Sequence, residues 1–382
     1  MSSLPHNLRA EAKAAFTGFP TRRVEAYKYS DLSWLEERDL APMASFDACN
    51  SKESDVLFTN GILAYAQSPQ AGLTLQSLDM HPLLGKILPL HQRPLAVLNS
   101  AYATQVLFIH VAKNVKITKP LTLDVLSRGE GSAYPRVLIV LEEGANLTLV
   151  ERFSGKGAYM SCGAMEISLA KGARLSHIRD QNEDKAATQL YITAAKIAEH
   201  ACYSSYVFNE GAAFMRHEIL ASLDGGGAHV DMLGVNMITD TQHTDTATFI
   251  NHAAADTTSN ELYKSAVAQQ ATAVFQGKIH VAKDAQRIKG YQMSRGLLLS
   301  DKARINTKPE LEIYADDVVC SHGATVGALD QESLFYLCAR GISRARARAL
   351  LIEGFIAEVI NDLDEVQREG FMQRASLWLE GL

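Results

Sequence analysis

Alanines at the centre of short turns recur along this chain at intervals of 28, 28 and 27 residues, at Ala145, Ala173, Ala201 and Ala228. The flanking sequence repeats with them. Val137 to Val150 reads VLIVLEEGANLTLV, Met165 to Ile178 reads MEISLAKGARLSHI, and Thr193 to Tyr206 reads TAAKIAEHACYSSY. Ala285 lies 57 residues past Ala228, two further periods, and Asp317 follows 32 residues later as a looser match. Each unit reads as strand, tight turn, strand and a longer return. One such unit cannot bury its own apolar face, whereas units stacked about 4.8 Å apart pair their strands in parallel and share a continuous core. The spacing therefore predicts a mainly β chain built on a parallel β-helix, or solenoid. An antiparallel sandwich whose turns share composition is the competing architecture.

The repeat is bracketed by different patterns. Leu4 to Phe16 is rich in Ala, Glu, Arg and Lys and predicts a helix ended by Gly18 and Pro20. Residues 41–95 are mixed and punctuated by prolines. Past residue 327, Asp330 can cap one helix, Gly341 can end it, and Ser343 can cap the next. There Leu351, Phe355, Val359 and Leu363 recur at helical spacing, as do Ile352, Ile356 and Ile360. So wide a stripe either packs within the chain, the expectation for most of these residues, or faces another protein. The expected organisation is a helical or mixed N-terminal domain over 1–98, a β-helix core over 99–326 and a C-terminal helical domain over 327–382.

Charge and cysteine usage narrow the functional classes. Thirty-seven Lys and Arg oppose 43 Asp and Glu, a formal charge of −6, which gives no electrostatic case for nucleic-acid binding. The five cysteines, Cys49, Cys162, Cys202, Cys320 and Cys338, include no CxxC pair, so neither a disulfide framework nor a self-contained zinc site is indicated. No apolar run approaches the length of a membrane span, and Arg9, Glu11, Lys13, Arg22 and Arg23 leave no apolar core in the first 25 positions for a secretory leader. A soluble protein of a reducing cytoplasm is expected.

Few residues announce chemistry. His110, His177, His200, His217, His229, His243, His252 and His280 fall in no ligand spacing and read as surface or internally satisfied histidines. Gly225-Gly226-Gly227 is a turn, since no phosphate-loop lysine follows. No nucleophile elbow is present, and no spacing singles out an acid/base pair. Cys320-Ser321-His322 is more informative. It continues a strand-like run, LEIYADDVV, and residues two apart on a strand share a face, about 6.6–7 Å apart. Cys320 and His322 then project together, with Val319 and Ser321 opposite. Thiolate and imidazole suit Fe, Zn or Cu, but two ligands do not complete a site. On its residues alone, Cys320 reads better as a small buried hydrophobe.

The stretch from Ile288 to Ile342, IKGYQMSRGLLLSDKARINTKPELEIYADDVVCSHGATVGALDQESLFYLCARGI, strongly resembles the SufB/SufD family of iron–sulfur cluster assembly proteins. PTRRVEAYKYSDL (Pro20 to Leu32) and LAVLNSAYATQVLFIHVAKNV (Leu95 to Val115) are similar to further family stretches. The SufD branch fits better, because SufB proteins are longer and often carry an N-terminal cysteine cluster. The sequence departs from SufD-like proteins at Gly296, where Asn is frequent. The resemblance implies a right-handed parallel β-helix flanked by helical domains. It implies a non-catalytic scaffold that pairs with SufB, binds the SufC ATPase through C-terminal helices, and carries a transient iron–sulfur cluster shared with SufB. His322 matches the histidine that the family brings to that interface, Cys320 matches the cysteine beside it, and Leu351, Phe355 and Val359 fall on the expected SufC-docking helix. Flavin binding by the complex and self-association of the lone chain are left open. A β-helix enzyme acting on a polysaccharide is the alternative from a different class.

Overall fold

The computed structural model describes residues 6–47, 54–67, 70–78, 80–88, 93–361 and 363–382. Cys49 and the first two residues of the expected N-terminal helix lie outside them. The chain forms a parallel β-solenoid of about eight turns. Each turn gives one strand to each of two facing sheets, so strands alternate between sheets along the sequence. The first sheet runs in order through Val56–Thr59, Leu121–Arg128, Asn146–Lys156, Arg174–Asn182, Cys202–Asn209, His229–Ile238, Thr258–Val267, Ile288–Leu298 and Val318–Ala328. The second runs from Leu107–Val111 to Arg304–Ile313. All these neighbours pair in parallel.

The repeat has a backbone cause. One corner of seven successive coils carries a residue in the left-handed region: Asn114, Gly144, Gly172, His200, Gly227, Asp256 and Arg287, with φ between 55° and 71°. They form a ladder of their own. The amide of Gly144 donates to the Lys171 carbonyl, Gly172 to Glu199, His200 to Gly226 and Gly227 to Asp256. The next residue in each coil turns into the core, and the strand registers stack Ala145, Ala173, Ala201, Ala228, Thr257 and Ile288. All six are buried. Small side chains fill the first five places, where successive coils leave little room between their corners, and the larger Ile288 takes the sixth. The expected fifth alanine is thus corrected. Ala285 is buried, but it precedes the column by three residues, because the coil joining Thr258 to its partner Lys289 has grown to 31 residues. Thr257 fills the position between.

The ends of the solenoid differ. At the start, Ile62–Ala66 and Leu73–Ser77 add antiparallel strands that cap the two sheets. At the other end, Val318–Ala328 and Arg304–Ile313 have no further strand beside them among the described residues.

Helices cover the outer faces. α2 (Pro94–Tyr102) and the segment holding Tyr27, Leu32 and Leu35 pack on the second sheet, and α1 (His6–Ala15) packs on α2. Arg216 clamps that segment: it lies over the Tyr27 ring at 4.0 Å, donates to the Ala26 carbonyl, and pairs with Glu218 and Asp245. α3 (Gln331–Ala339), α4 (Arg344–Ile360) and α5 (Glu365–Glu380) follow the last strand. Asp330 caps α3, Gly341 takes a φ of 87°, and Ser343 caps α4, each at its expected place. Ile352, Ile356, Val359 and Ile360 of α4 pack with Tyr206, Phe208, Leu233 and Val235 on the outer face of the first sheet. No helix among the described residues is long and apolar enough to cross a membrane.

The space between the sheets is partly polar. Arg179, fully buried, lies between the rings of Phe153 and Tyr191 at 4.4 and 4.5 Å and donates to Gln189. Tyr191 donates to Glu151, which also meets His177 at 3.2 Å. His252 is bonded to Thr257 and Ser259. These histidines are internally satisfied, as expected of them.

Candidate functional site

Cys320 and His322 lie on the last strand of the first sheet, Val318–Ala328, at the free end of the solenoid. Strand parity and register fix which way they face. Cys320 pairs with Gly290, and the column continues through Ser259, Val230 and Tyr203. His322 pairs with Gln292, and its column continues through Glu261, Met232, Ser205 and His177. Every earlier member of the His322 column is buried. Both site residues therefore extend inward-facing columns and project into the mouth of the lumen, sharing one face as their spacing predicts. Val319, 56% exposed, takes the opposite, outer face.

Their surroundings differ. Cys320 is half-buried and packs against the main core beside Val318, and burial raises its thiol above the ordinary range. A Cβ on Gly290 would stand 3.4 Å from the Cys320 sulfur, in ordinary van der Waals contact. His322 is exposed and its ring makes no hydrogen bond among the described residues. The opposite wall of the mouth is the strand Arg304–Ile313, whose Thr307, Pro309 and Leu311 register with Phe275, Gly277 and Ile279. Around the rim, Ile313, Tyr314 and Val326 expose apolar surface. Among the described residues no three His, Cys, Asp or Glu side chains converge to hold a metal. The mouth thus presents one thiol, one imidazole and two sheet edges whose outward backbone groups lack a neighbouring strand.

The docking helix divides differently from the expectation. Val359 is 1% exposed and packs within the chain, which corrects its placement on a partner-facing surface. Phe355 is partly buried against the same cluster, with the Lys264 ammonium 4.8 Å from its ring centre. Leu351 alone of the three opens onto a groove between α3 and α4, lined with Phe335, Tyr336, Leu337 and Ser333. Phe335 is 76% exposed and Tyr336 57%. Sequence reasoning missed both, because α3 is too short to show a stripe; two adjacent aromatics beside a helix cap were the available signal.

At Gly296 a Cβ would press on the Ile305 side chain. The missing side chain lets the two sheets approach there.

The chain is thus a β-solenoid that ends in an open mouth bearing one thiol and one imidazole, with helices following its last strand. The chain belongs to the SufB/SufD family: the family model for the SUF system FeS cluster assembly SufBD core domain matches residues 125–355, which include both site residues. Over 96% of its length the chain is 30% identical to the iron–sulfur cluster assembly protein SufD of Escherichia coli, spanning 90% of that protein. It is also 30% identical, over 93% of its length, to an iron–sulfur cluster assembly SufBD family protein of Synechocystis, spanning 86% of it. A chloroplastic protein of Arabidopsis thaliana, ABCI7, is 28% identical over 90% of the chain and is spanned to 79%.

Proposed function

We propose that this chain is a non-catalytic scaffold subunit of the SufD type, acting in the cytoplasm, that pairs with a SufB-type subunit through the free end of its solenoid. One observation carries the reading. A thiol and an unpartnered imidazole face the same mouth at the edge of two sheets, and among the described residues no third ligand joins them. Such a half-site gains its remaining ligands from a partner solenoid that covers the same edges.

In this reading the cluster is cargo. His322 supplies a nitrogen ligand and Cys320 lies close enough to supply or relay a thiolate. A site shared between two chains opens when the chains part, whereas four ligands from one rigid chain would retain a cluster more firmly. Leu351, with Phe335 and Tyr336, forms the docking surface for a SufC-type ATPase, and Phe355 supports it from behind. The unit spanning 327–382 is then the docking domain, and nucleotide-driven movement of the ATPase pulls on the solenoid edge through α3 and α4. Family membership favours this over glycan cleavage.

The experiment is co-expression with SufB-type and SufC-type partners, followed by sizing and an iron count. A ternary complex that holds iron with wild type, and loses it with His322→Ala, is expected. Full iron content in the His322→Ala complex overturns the role given to His322.

A further inference from the structure

A ligand histidine works when one ring nitrogen is held by a hydrogen bond and the other is presented to the metal. His322 has no such holder among its exposed neighbours, but its strand partner offers one. Gln292 sits directly beneath it in the register and is 2% exposed. Its amide orientation is set from below: Nε2 donates to the buried carboxyl of Glu261, one coil further in. Oε1 is thereby left as the free end, buried and without a partner. An unpaired buried carbonyl oxygen costs about 1–3 kcal/mol, so one retained beside an exposed imidazole calls for an explanation.

The pocket that holds this amide is built for it. Gly277, on the opposite wall, faces the Gln292 side chain, and a Cβ there would overlap Nε2 and Cδ. The glycine of the opposite wall thus makes room for an amide whose acceptor is unused.

We propose that Gln292, anchored by Glu261, is the positioning residue for His322: when the exposed ring, unbonded in the free chain, turns toward its strand partner in the complex, Oε1 accepts the hydrogen of one ring nitrogen and leaves the other nitrogen aimed at the cargo. This rests on the reading of His322 as a ligand. In the complex of the side-chain-labelled chain with its partners, before cluster loading and at neutral pH, one ring N–H of His322 is then held from exchange and seen in nitrogen–proton spectra. Gln292→Leu and Gln292→Met, apolar replacements of similar size, both lose that resonance while keeping the strand amides of the wild type. In the complex with its partners, the same variants release iron to a chelator about 10–100-fold more readily, the range for lost outer hydrogen bonds to metal ligands. A ring N–H that persists in the two variants, or an iron release rate equal to wild type, overturns the positioning role even where His322→Ala abolishes iron binding. Full iron binding by His322→Ala instead overturns the ligand reading, whatever the ring resonance shows.

Discussion

Glu261 is buried between the sheets with no cation beside it, and burial raises its carboxyl from 4.5 to about 7. The native state therefore holds a proton that the unfolded chain has already released, and stability falls as pH rises from the unfolded value through the folded one. With values near 4.5 and 7, the ionisation penalty is about 1.4 kcal/mol at pH 5.5 and about 3.4 kcal/mol at pH 8, a loss of roughly 2 kcal/mol between them. Glu261→Gln removes the titration and keeps the shape. Urea unfolding followed by tryptophan fluorescence at the two pH values measures the difference. The wild-type midpoint should fall more than that of the variant by roughly half a molar, taking a slope of about 3 kcal/mol/M or more for a chain of this size. Glu183, also buried and raised to about 7, titrates in both proteins and cancels in the comparison. Parallel pH dependence of the two midpoints would refute the claim that Glu261 is held protonated inside the solenoid.

Other substitutions probe the packing. Gly172→Ala places a Cβ at a φ of 67° and should cost about 1–2 kcal/mol, seen as a lower thermal midpoint. Val359→Ala opens a cavity against the first sheet and should cost roughly 1–3 kcal/mol, whereas Phe335→Ala should leave the midpoint within about 0.5 kcal/mol of wild type. In a pull-down with the ATPase partner the order reverses: Phe335→Ala together with Tyr336→Ala weakens capture, and Val359→Ala retains it in the folded fraction.

The solenoid was legible because in-register parallel stacking repeats every chemical demand of a coil at the coil length. Gly144, Gly172 and Gly227 solve the same left-handed corner, and Ala145, Ala173 and Ala228 fill the same small space. Ala285 misled because one coil is longer, and a loop can absorb extra residues while the strand register carries on unchanged. Strand parity sufficed to put Cys320 and His322 on one face. That the face is the inner one is settled only by which residues the earlier coils bury in the same columns. The polar lumen was hidden for a similar reason. Gln292 meets Glu261 across 31 residues and Tyr191 meets Glu151 across 40, and no local pattern marks such pairs. On α4, Val359 and Leu351 look alike in sequence. The first sheet lies under one and not under the other, so only tertiary placement separates a core residue from a surface one.

The central claim is that this chain lends a nitrogen ligand, from His322, to a cluster it shares with a partner. Pulsed electron paramagnetic resonance of the reduced cluster tests it directly, in a complex where this subunit alone carries 15N-labelled histidine. The account predicts one 15N hyperfine coupling that disappears in His322→Ala. A cluster assembled with the wild-type chain that shows no histidine nitrogen from this subunit would contradict it.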